Sequence, residues 1–265
     1  LSMMGEHGGW PLTMFLTPDA EPFWGGTYFP ATAGYGRPAF PDLLKGISRA
    51  FHDENGKVME NAAQLKEGLS RLAKPEGGGS LTLETLDQVA AMILNAVDPI
   101  KGGTQGAPKF PQPSLFRFLW HAHRRLGVRT GQPSGSPLFR DAVTLTLDNI
   151  CQGGIYDHLG GGFARYSTDE VWLAPHFEKM LYDNAQLIDL MTDVWLETQN
   201  PLYAQRTQET VDWLMREMRS SEKGPFGFTG ALDADSEGEE GRFYVWSEDE
   251  IDEILGPEAP FFKEA

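Results

Sequence analysis

Between residues 81 and 218, apolar side chains return every three or four positions in five successive stretches. They are Leu86, Ala90, Ile93 and Val97; Leu115, Phe118, Leu119 and Ala122; Phe139, Val143, Leu147 and Ile150; Leu187, Leu190 and Val194; and Ala204, Thr207, Val211, Leu214 and Met218. A period near 3.6 gathers each set on one side of an α-helix, so each helix has one face to bury and one to wet. Helices of this kind in series bury their stripes against one another. Asn200 followed by Pro201 is an N-cap and first-turn pair, which predicts a tight hairpin between the last two helices. Short and long connections alternate, the pattern of stacked αα-hairpins, and a toroid, a solenoid and a bundle all satisfy it.

The region before residue 74 reads differently. "PLTMFLTPDAEPFWGGTYFP" (11–30) holds two β-favouring runs around Pro18-Asp19, a type I turn signal, and predicts a hairpin. Gly25 and Gly26 fall inside the second run, where glycine marks a bulge or a close backbone approach. Helical spacing follows, with Leu43, Leu44, Ile47, Ala50 and Phe51 on one face and Val58, Ala62, Leu65, Leu69 and Leu72 on another. "KPEGGGS" (74–80) has linker composition and separates residues 1–73 from residues 81–265.

Three connections are long: 102–113, 152–175 and 224–246, all rich in glycine, proline, aromatics and acids. Ordered connections well beyond about 4–6 residues are often functional. On one end of the helical part they would form the rim of a pocket.

The net charge of −16 over 265 residues argues against nucleic acid and anionic membrane surfaces as partners, since no basic patch exceeds Arg124-Arg125. No run of about 18 apolar residues predicts a membrane span. "LSMMGEHGGWPL" lacks the pattern of a signal peptide, so cytoplasmic placement is the default expectation. It also reads as an internal start, and "GPEAPFFKEA" stops as another apolar segment begins, so a fragment is expected at both ends. Cys151, the single cysteine, reads as a small buried side chain rather than a catalytic thiol.

Several motifs fail their chemistry. "GGGFARY" follows a helix and lacks the third glycine of GxGxxG and the GK[ST] of a phosphate loop. "DADSEGEEG" (233–241) begins like a calcium loop, but Tyr244 stands where the bidentate Glu is needed, so an acidic turn comes first, a polar pocket lip next and a calcium site third. His121 and His123 lie about 200° apart on a helix, as surface and core neighbours. No metal or cofactor is assigned.

"APHFEKMLYDNAQ" (174–186) is the best candidate for chemistry. Read as the first turns of a helix, it places His176, Lys179, Met180, Asp183, Leu187, Leu190 and Val194 on one face, polar at its start and apolar beyond, with Glu178 and Tyr182 nearly opposite. Histidine, lysine and acids together support proton transfer at a sugar carbon or glycosidic acid-base chemistry. Tyr156, Tyr166 and Trp172 would suit stacking on sugar rings.

"GGWPLTMFLTPDAEPFWGGTYFP", "APKFPQPS", "GGIYDHLGGGFARYSTDEVWLAPHFEKMLYDNAQL" and "DADSEGEEGRFYVW", in this order over residues 5 to about 256, resemble the spermatogenesis-associated protein 20-like family of thioredoxin-domain proteins, DUF255. The resemblance implies an α+β N-terminal part, the second half of a thioredoxin-like fold (1–73), followed by an all-α, incomplete (α/α)6 toroid (81–265) similar to those of sugar epimerases and six-hairpin glycosidases. It implies that Trp10-Pro11 occupies the cis-proline position of thioredoxin folds and that a CxxC-like motif lies upstream of this chain. The expected function is carbohydrate processing, epimerase- or glycosidase-like; the alternative is a thiol-disulfide or redox-sensing protein whose toroid binds a protein partner. The expected site is catalytic His176 with Asp183 as its carboxylate partner, and substrate-binding Lys109, Asp157, His158, Arg165, Tyr166, Lys179, Asp233 and Asp235. A sugar or sugar phosphate is the expected ligand, with a protein partner possible through the thioredoxin-like part.

Overall fold

The computed structural model describes residues 8–9, 11–34, 36–74, 78–130, 136–220 and 227–264. The chain divides into two compact units, Leu1–Ser80 and Leu81–Ala265.

In the first unit, β1 (Thr13–Leu16) and β2 (Pro22–Gly26) form the antiparallel hairpin, with Thr13 opposite Gly26 and Phe15 opposite Trp24. The Thr17 N–H donates to Glu21 O at 2.8 Å and closes the turn. A Cβ on Gly26 would stand 2.5 Å from the Phe29 ring, which is the close approach that glycine there permits. Two helices follow, α1 (Phe40–Asp53) and α2 (Asn55–Ala73). Phe23, Val58 and Ala62 form the buried centre, with Phe15, Trp24, Ile47, Ala50 and Phe51 packed around it. Leu69 and Leu72, the far end of the predicted α2 stripe, are exposed. Trp10, and with it the Trp10-Pro11 bond, lies outside the described residues.

The second unit is mainly helical: α3 (Leu83–Ala96), α4 (Pro113–Thr130), α5 (Pro137–Gln152), α6 (Leu181–Thr198) and α7 (Pro201–Trp213). α3 packs on α5 and α5 on α7, while α4 packs on α6, so alternate helices form two layers joined as αα-hairpins. Such two-layer stacking is shared by (α/α) toroids and helical solenoids, and with the first unit it makes the chain α+β followed by a mainly helical part. Phe116, Leu119, Trp120, Val143, Leu147, Ile150, Leu187, Leu190, Met191 and Val194 fill the space between the layers. His121 is exposed and His123 is buried, its Nε2 2.7 Å from Glu197 Oε1. Cys151 is buried with its Sγ 3.6 Å from Met191 Sδ, and burial pushes its thiol up to about 12.

Asn200 caps α7 by accepting the Leu202 N–H at 3.1 Å, so α6 and α7 turn on two residues. α7 widens into a π-turn at Leu214–Met218. Its buried residues Tyr203, Thr210 and Trp213 lie to one side of the predicted stripe, of which Leu214 and Met218 are buried in the π-turn.

The long connections meet at one end of this unit. Lys109 and Ser167 exchange backbone hydrogen bonds of 2.8 and 2.9 Å. Three two-stranded sheets complete the weave: β3 (Tyr166–Ser167) with β4 (Pro175–His176), β5 (Lys179–Met180) with β6 (Ala231–Leu232), and β7 (Asp235–Ser236) with β8 (Glu239–Glu240). Past Ser247, which caps it through a reciprocal bond with Glu250, runs α8 (Glu248–Leu255), followed by α9 (Ala259–Glu264). Among the described residues, no helix is long and apolar enough to cross a membrane.

Candidate acid-base site

The helix expected over "APHFEKMLYDNAQ" begins only at Leu181, and residues 175–176 and 179–180 are the strands β4 and β5. Cross-strand bonds to Tyr166–Ser167 and Ala231–Leu232 claim this backbone, so local helical spacing does not apply. The predicted grouping changes accordingly. His176 and Glu178 share one side, their side chains 4.0 Å apart from Nε2 to Oε2, whereas Lys179 turns away into the protein. The opposition of His176 to Glu178 read from helical angles is thereby corrected.

His176 is the centre of the partly exposed side. Its Nδ1 is 2.7 Å from Glu240 Oε1, and its ring stacks on Tyr166, its cross-strand partner, with centroids 4.8 Å apart and planes at 14°. Tyr166 in turn packs on Phe110 at 4.7 Å. Arg165 donates from Nη1 to Glu178 Oε2 at 2.7 Å and from its backbone N–H to Glu178 O at 2.8 Å. Asp183, at the first turn of α6, is half-buried, and its carboxyl is raised to about 6, chiefly by burial, which Arg165 opposes and Glu178 reinforces. An imidazole held at one nitrogen by a carboxylate, with the Glu178 carboxylate near the other nitrogen and a protonatable Asp183 interacting with Glu178, has the parts for proton transfer.

The remaining predicted residues are placed elsewhere. Lys109 is fully buried and donates to Asp98 Oδ2 at 2.8 Å and Glu170 O at 2.9 Å. Lys179 is 2% exposed and donates to Asp157 Oδ2 at 2.7 Å and Gly161 O at 2.9 Å. Burial lowers its ammonium below the ordinary value against the pull of Asp157. His158 lies 3.0 Å from Gly153 O and 3.2 Å from Arg206 Nη2. Asp233 and Asp235 are exposed on the β6–β7 turn, where Asp233 Oδ1 accepts the Asp235 N–H at 3.2 Å. Trp172 and Tyr156 are buried and so closed to ligand stacking, which leaves Tyr166 as the partly open ring of the three.

Sequence reasoning passed over two residues that hold this end together. Asn184, fully buried on α6, accepts the Phe163 N–H at 2.8 Å and donates to Phe163 O at 3.0 Å. Trp213 lies under Lys179, 5.0 Å from Nζ to ring centroid. Asn184 was legible as a polar residue one position beyond the polar start of the predicted stripe; Trp213 carried no signal of its role. Beyond Lys179, a cleft of ≈ 610 Å³ lies among Asp157, Glu217, Arg242, Phe243, Tyr244 and Trp246. Among the described residues, no three His, Cys, Asp or Glu side chains converge as a metal site would require.

Comparison with known proteins places the chain among relatives. Residues 1–70 match the family model described as "Thioredox_DsbH: Protein of unknown function, DUF255". Spermatogenesis-associated protein 20 of Homo sapiens is 36% identical over 265 residues, covering 94% of this chain and 32% of that protein. The chain is similar to spermatogenesis-associated protein 20 over nearly its whole length. The Mus musculus protein of the same name is 35% identical over 261 residues, again 94% of this chain and 32% of the relative. Uncharacterized protein B0495.5 of Caenorhabditis elegans is 32% identical over 263 residues, 94% of this chain and 34% of that protein. The chain thus spans about one third of the length of these relatives, and the DUF255 match falls in its first unit. Among solved structures, the cellobiose 2-epimerase of Spirochaeta thermophila DSM 6192 is similar at a TM-score of 0.41 with 21% identity, over 58% of this chain and 42% of that one.

Proposed function

We propose that the helical unit carries an acid-base site for a polyhydroxy ligand of the sugar class, with His176 as the proton-transferring group. The observation that carries the reading is the His176 ring, bonded to Glu240, near Glu178 and stacked on Tyr166 at a partly exposed surface. The Glu240 carboxylate favours the proton on Nδ1 and leaves Nε2 to accept one. Asp183 is the second acid-base group, Arg165 donates toward ligand hydroxyls from beside Glu178, and the Tyr166 ring supplies an apolar wall. Glu178 and Asp183 interact with the single Arg165 guanidinium and Glu240 holds His176, so carboxylates outnumber cations here and a neutral sugar fits better than a sugar phosphate.

The test is a thermal-shift panel of neutral sugars and sugar phosphates. Neutral sugars raise the Tm of the unaltered protein, and His176→Ala abolishes the response while leaving circular dichroism unchanged. A flat panel with a folded protein, or a response that survives His176→Ala, rejects the reading.

The match of residues 1–70 to a thioredoxin-named family supports a second reading, in which thiol-disulfide chemistry belongs to the longer protein and the helical unit binds a protein partner. Cys151 does not serve that chemistry, since burial suppresses its thiolate. Trapping of mixed disulfides on the longer protein tests it, and their absence rejects it.

A further inference from the structure

The connections that follow α3 and α5 are built alike, each opening on an aspartate with glycines four and five residues later. Asp98 follows α3, and its Oδ1 accepts the N–H groups of Ile100 and Lys101, both at 2.9 Å. Asp157 follows α5, and its Oδ1 accepts those of Leu159 and Gly160 at 3.0 and 2.8 Å. The carbonyl of each Asp accepts the N–H of a glycine four residues on, Gly102 at 3.0 Å and Gly161 at 2.9 Å. The N–H of each Asp donates to the carbonyl of the next glycine, Gly103 at 2.9 Å and Gly162 at 3.0 Å. All four glycines have positive φ, between 65° and 85°. Single β-bridges close the two turns, Val97 with Thr104 and Tyr156 with Phe163.

A buried lysine then completes each turn. Lys109 and Lys179 donate to the Oδ2 of their own aspartate at 2.8 and 2.7 Å and to a backbone carbonyl at 2.9 Å in both cases. Each lies over a tryptophan that comes later in the chain, Trp172 at 5.3 Å and Trp213 at 5.0 Å. The second glycine of each pair also packs against that tryptophan. The lysine follows its aspartate by 11 residues in one turn and by 22 in the other, which hides the repetition from the sequence.

We infer that Lys109 and Lys179 are two copies of one clamp in successive αα-hairpins, and that Lys179 with Asp157 positions the acid-base site rather than contacting its ligand. Two of the three N–H groups of Lys179 meet Asp157 and Gly161, and the ammonium lies by the rings of Trp213 and Tyr244 at 5.0 and 4.9 Å, so its surroundings are the protein's own groups. Lys109, at 0% exposure, performs the same work beside β3, the strand that carries Tyr166. The clamp at Lys179 fixes the strand immediately after His176 and Glu178, and the Arg165-to-Glu178 backbone bond ties the other end of the same loop to it. The inference concerns the site proposed above but needs neither a ligand nor the sugar reading, so each can fail without the other.

Two measurements on the whole chain test it. Under native reductive methylation with formaldehyde and cyanoborohydride, Lys109 and Lys179 react at least about tenfold more slowly than exposed Lys45 and Lys57, since both require local opening. Methylation of Lys179 at the rate of Lys45 overturns the inference. In the second, K179M lowers Tm and K179M/D157N, which leaves no unpaired charge, recovers part of the loss; K109M and K109M/D98N follow the same pattern. In folded K179M/D157N the imidazole proton signals of His176, shifted by the Tyr166 ring, move toward unstacked values. An unchanged Tm in K179M, or a His176 signal unmoved in the double variant, refutes the positioning role. Should K179M not fold, the double variant and the methylation of unaltered protein each still decide.

Discussion

Tyr166 and His176 are cross-strand partners, and their rings lie face to face at 4.8 Å and 14°. The pairing brings a partly exposed imidazole from the end of the 153–180 connection against Glu240, 64 residues further along the chain. The arrangement fixes the ring plane and one ring nitrogen together, leaving proton exchange to the other nitrogen.

Asp183 makes stability fall as pH rises. Its folded carboxyl is raised to about 6 from an ordinary value of 3.8, so between these values the folded state binds more protons than the unfolded one. Asp183→Asn removes that dependence between about pH 4 and 6 and stabilises the protein at pH 7 by about 1–2 kcal/mol, after discounting for solvent screening. Urea midpoints measured at half-unit pH steps check it; an unchanged slope shows that the group is ordinary.

Asp98 acts with the opposite sign. Burial resists its ionisation, but hydrogen bonds from Lys109, Lys101 and Ile100 outweigh it and hold the carboxyl at about 2. Its contribution is complete above the unfolded value of 3.8 and is lost as pH falls through about 2. Asp98→Asn therefore loses stability at pH 7 and shows a shallower acid limb between pH 4 and 2 in a circular-dichroism titration.

Gly161 has φ of 83°, and a Cβ there would stand 2.7 Å from Glu209 O. Gly161→Ala combines left-handed strain with a clash against helix backbone and costs about 2–3 kcal/mol. Gly106, also at positive φ but with open space around it, separates the two effects: Gly106→Ala costs only the strain of about 1 kcal/mol. Equal urea midpoints for the two variants contradict this.

Cys151 stays unmodified by a thiol-specific disulfide reagent at pH 8 in the native protein and reacts fully in urea, because its thiol is buried and raised to about 12. Cys151→Ala costs about 1 kcal/mol through the lost packing against Met191. Rapid native labelling would show that this part of the core opens.

The helical faces were legible because burial on a helix repeats within the sequence itself. Ala90, Leu119, Val143, Leu147, Ile150, Leu187, Leu190 and Val194 all reach the core that their spacing predicts. The hairpin at residues 13–26 was equally legible, since its turn chemistry is local. Residues 174–180 were misread for the converse reason: their partners, Tyr166–Ser167 and Ala231–Leu232, are remote, and strand pairing outweighs weak helical preference. Trp172 and Tyr156 read as ligand-stacking aromatics on composition, and their burial is a property of the woven connections.

The sequence by itself determined the five main helices of the second unit apart from the start of α6, the faces that α3 to α6 bury and where the long glycine-rich connections lie, because these follow from period, caps and turn residues within a few positions of each other. Tertiary structure alone decided that Lys179 turns inward to Asp157 while His176 and Glu178 share the outer side, and that Asp98 and Lys109 repeat the same clamp. Those outcomes depend on contacts between residues 11 to 64 positions apart, whose free energy is won by desolvation and geometry once the connections interlock.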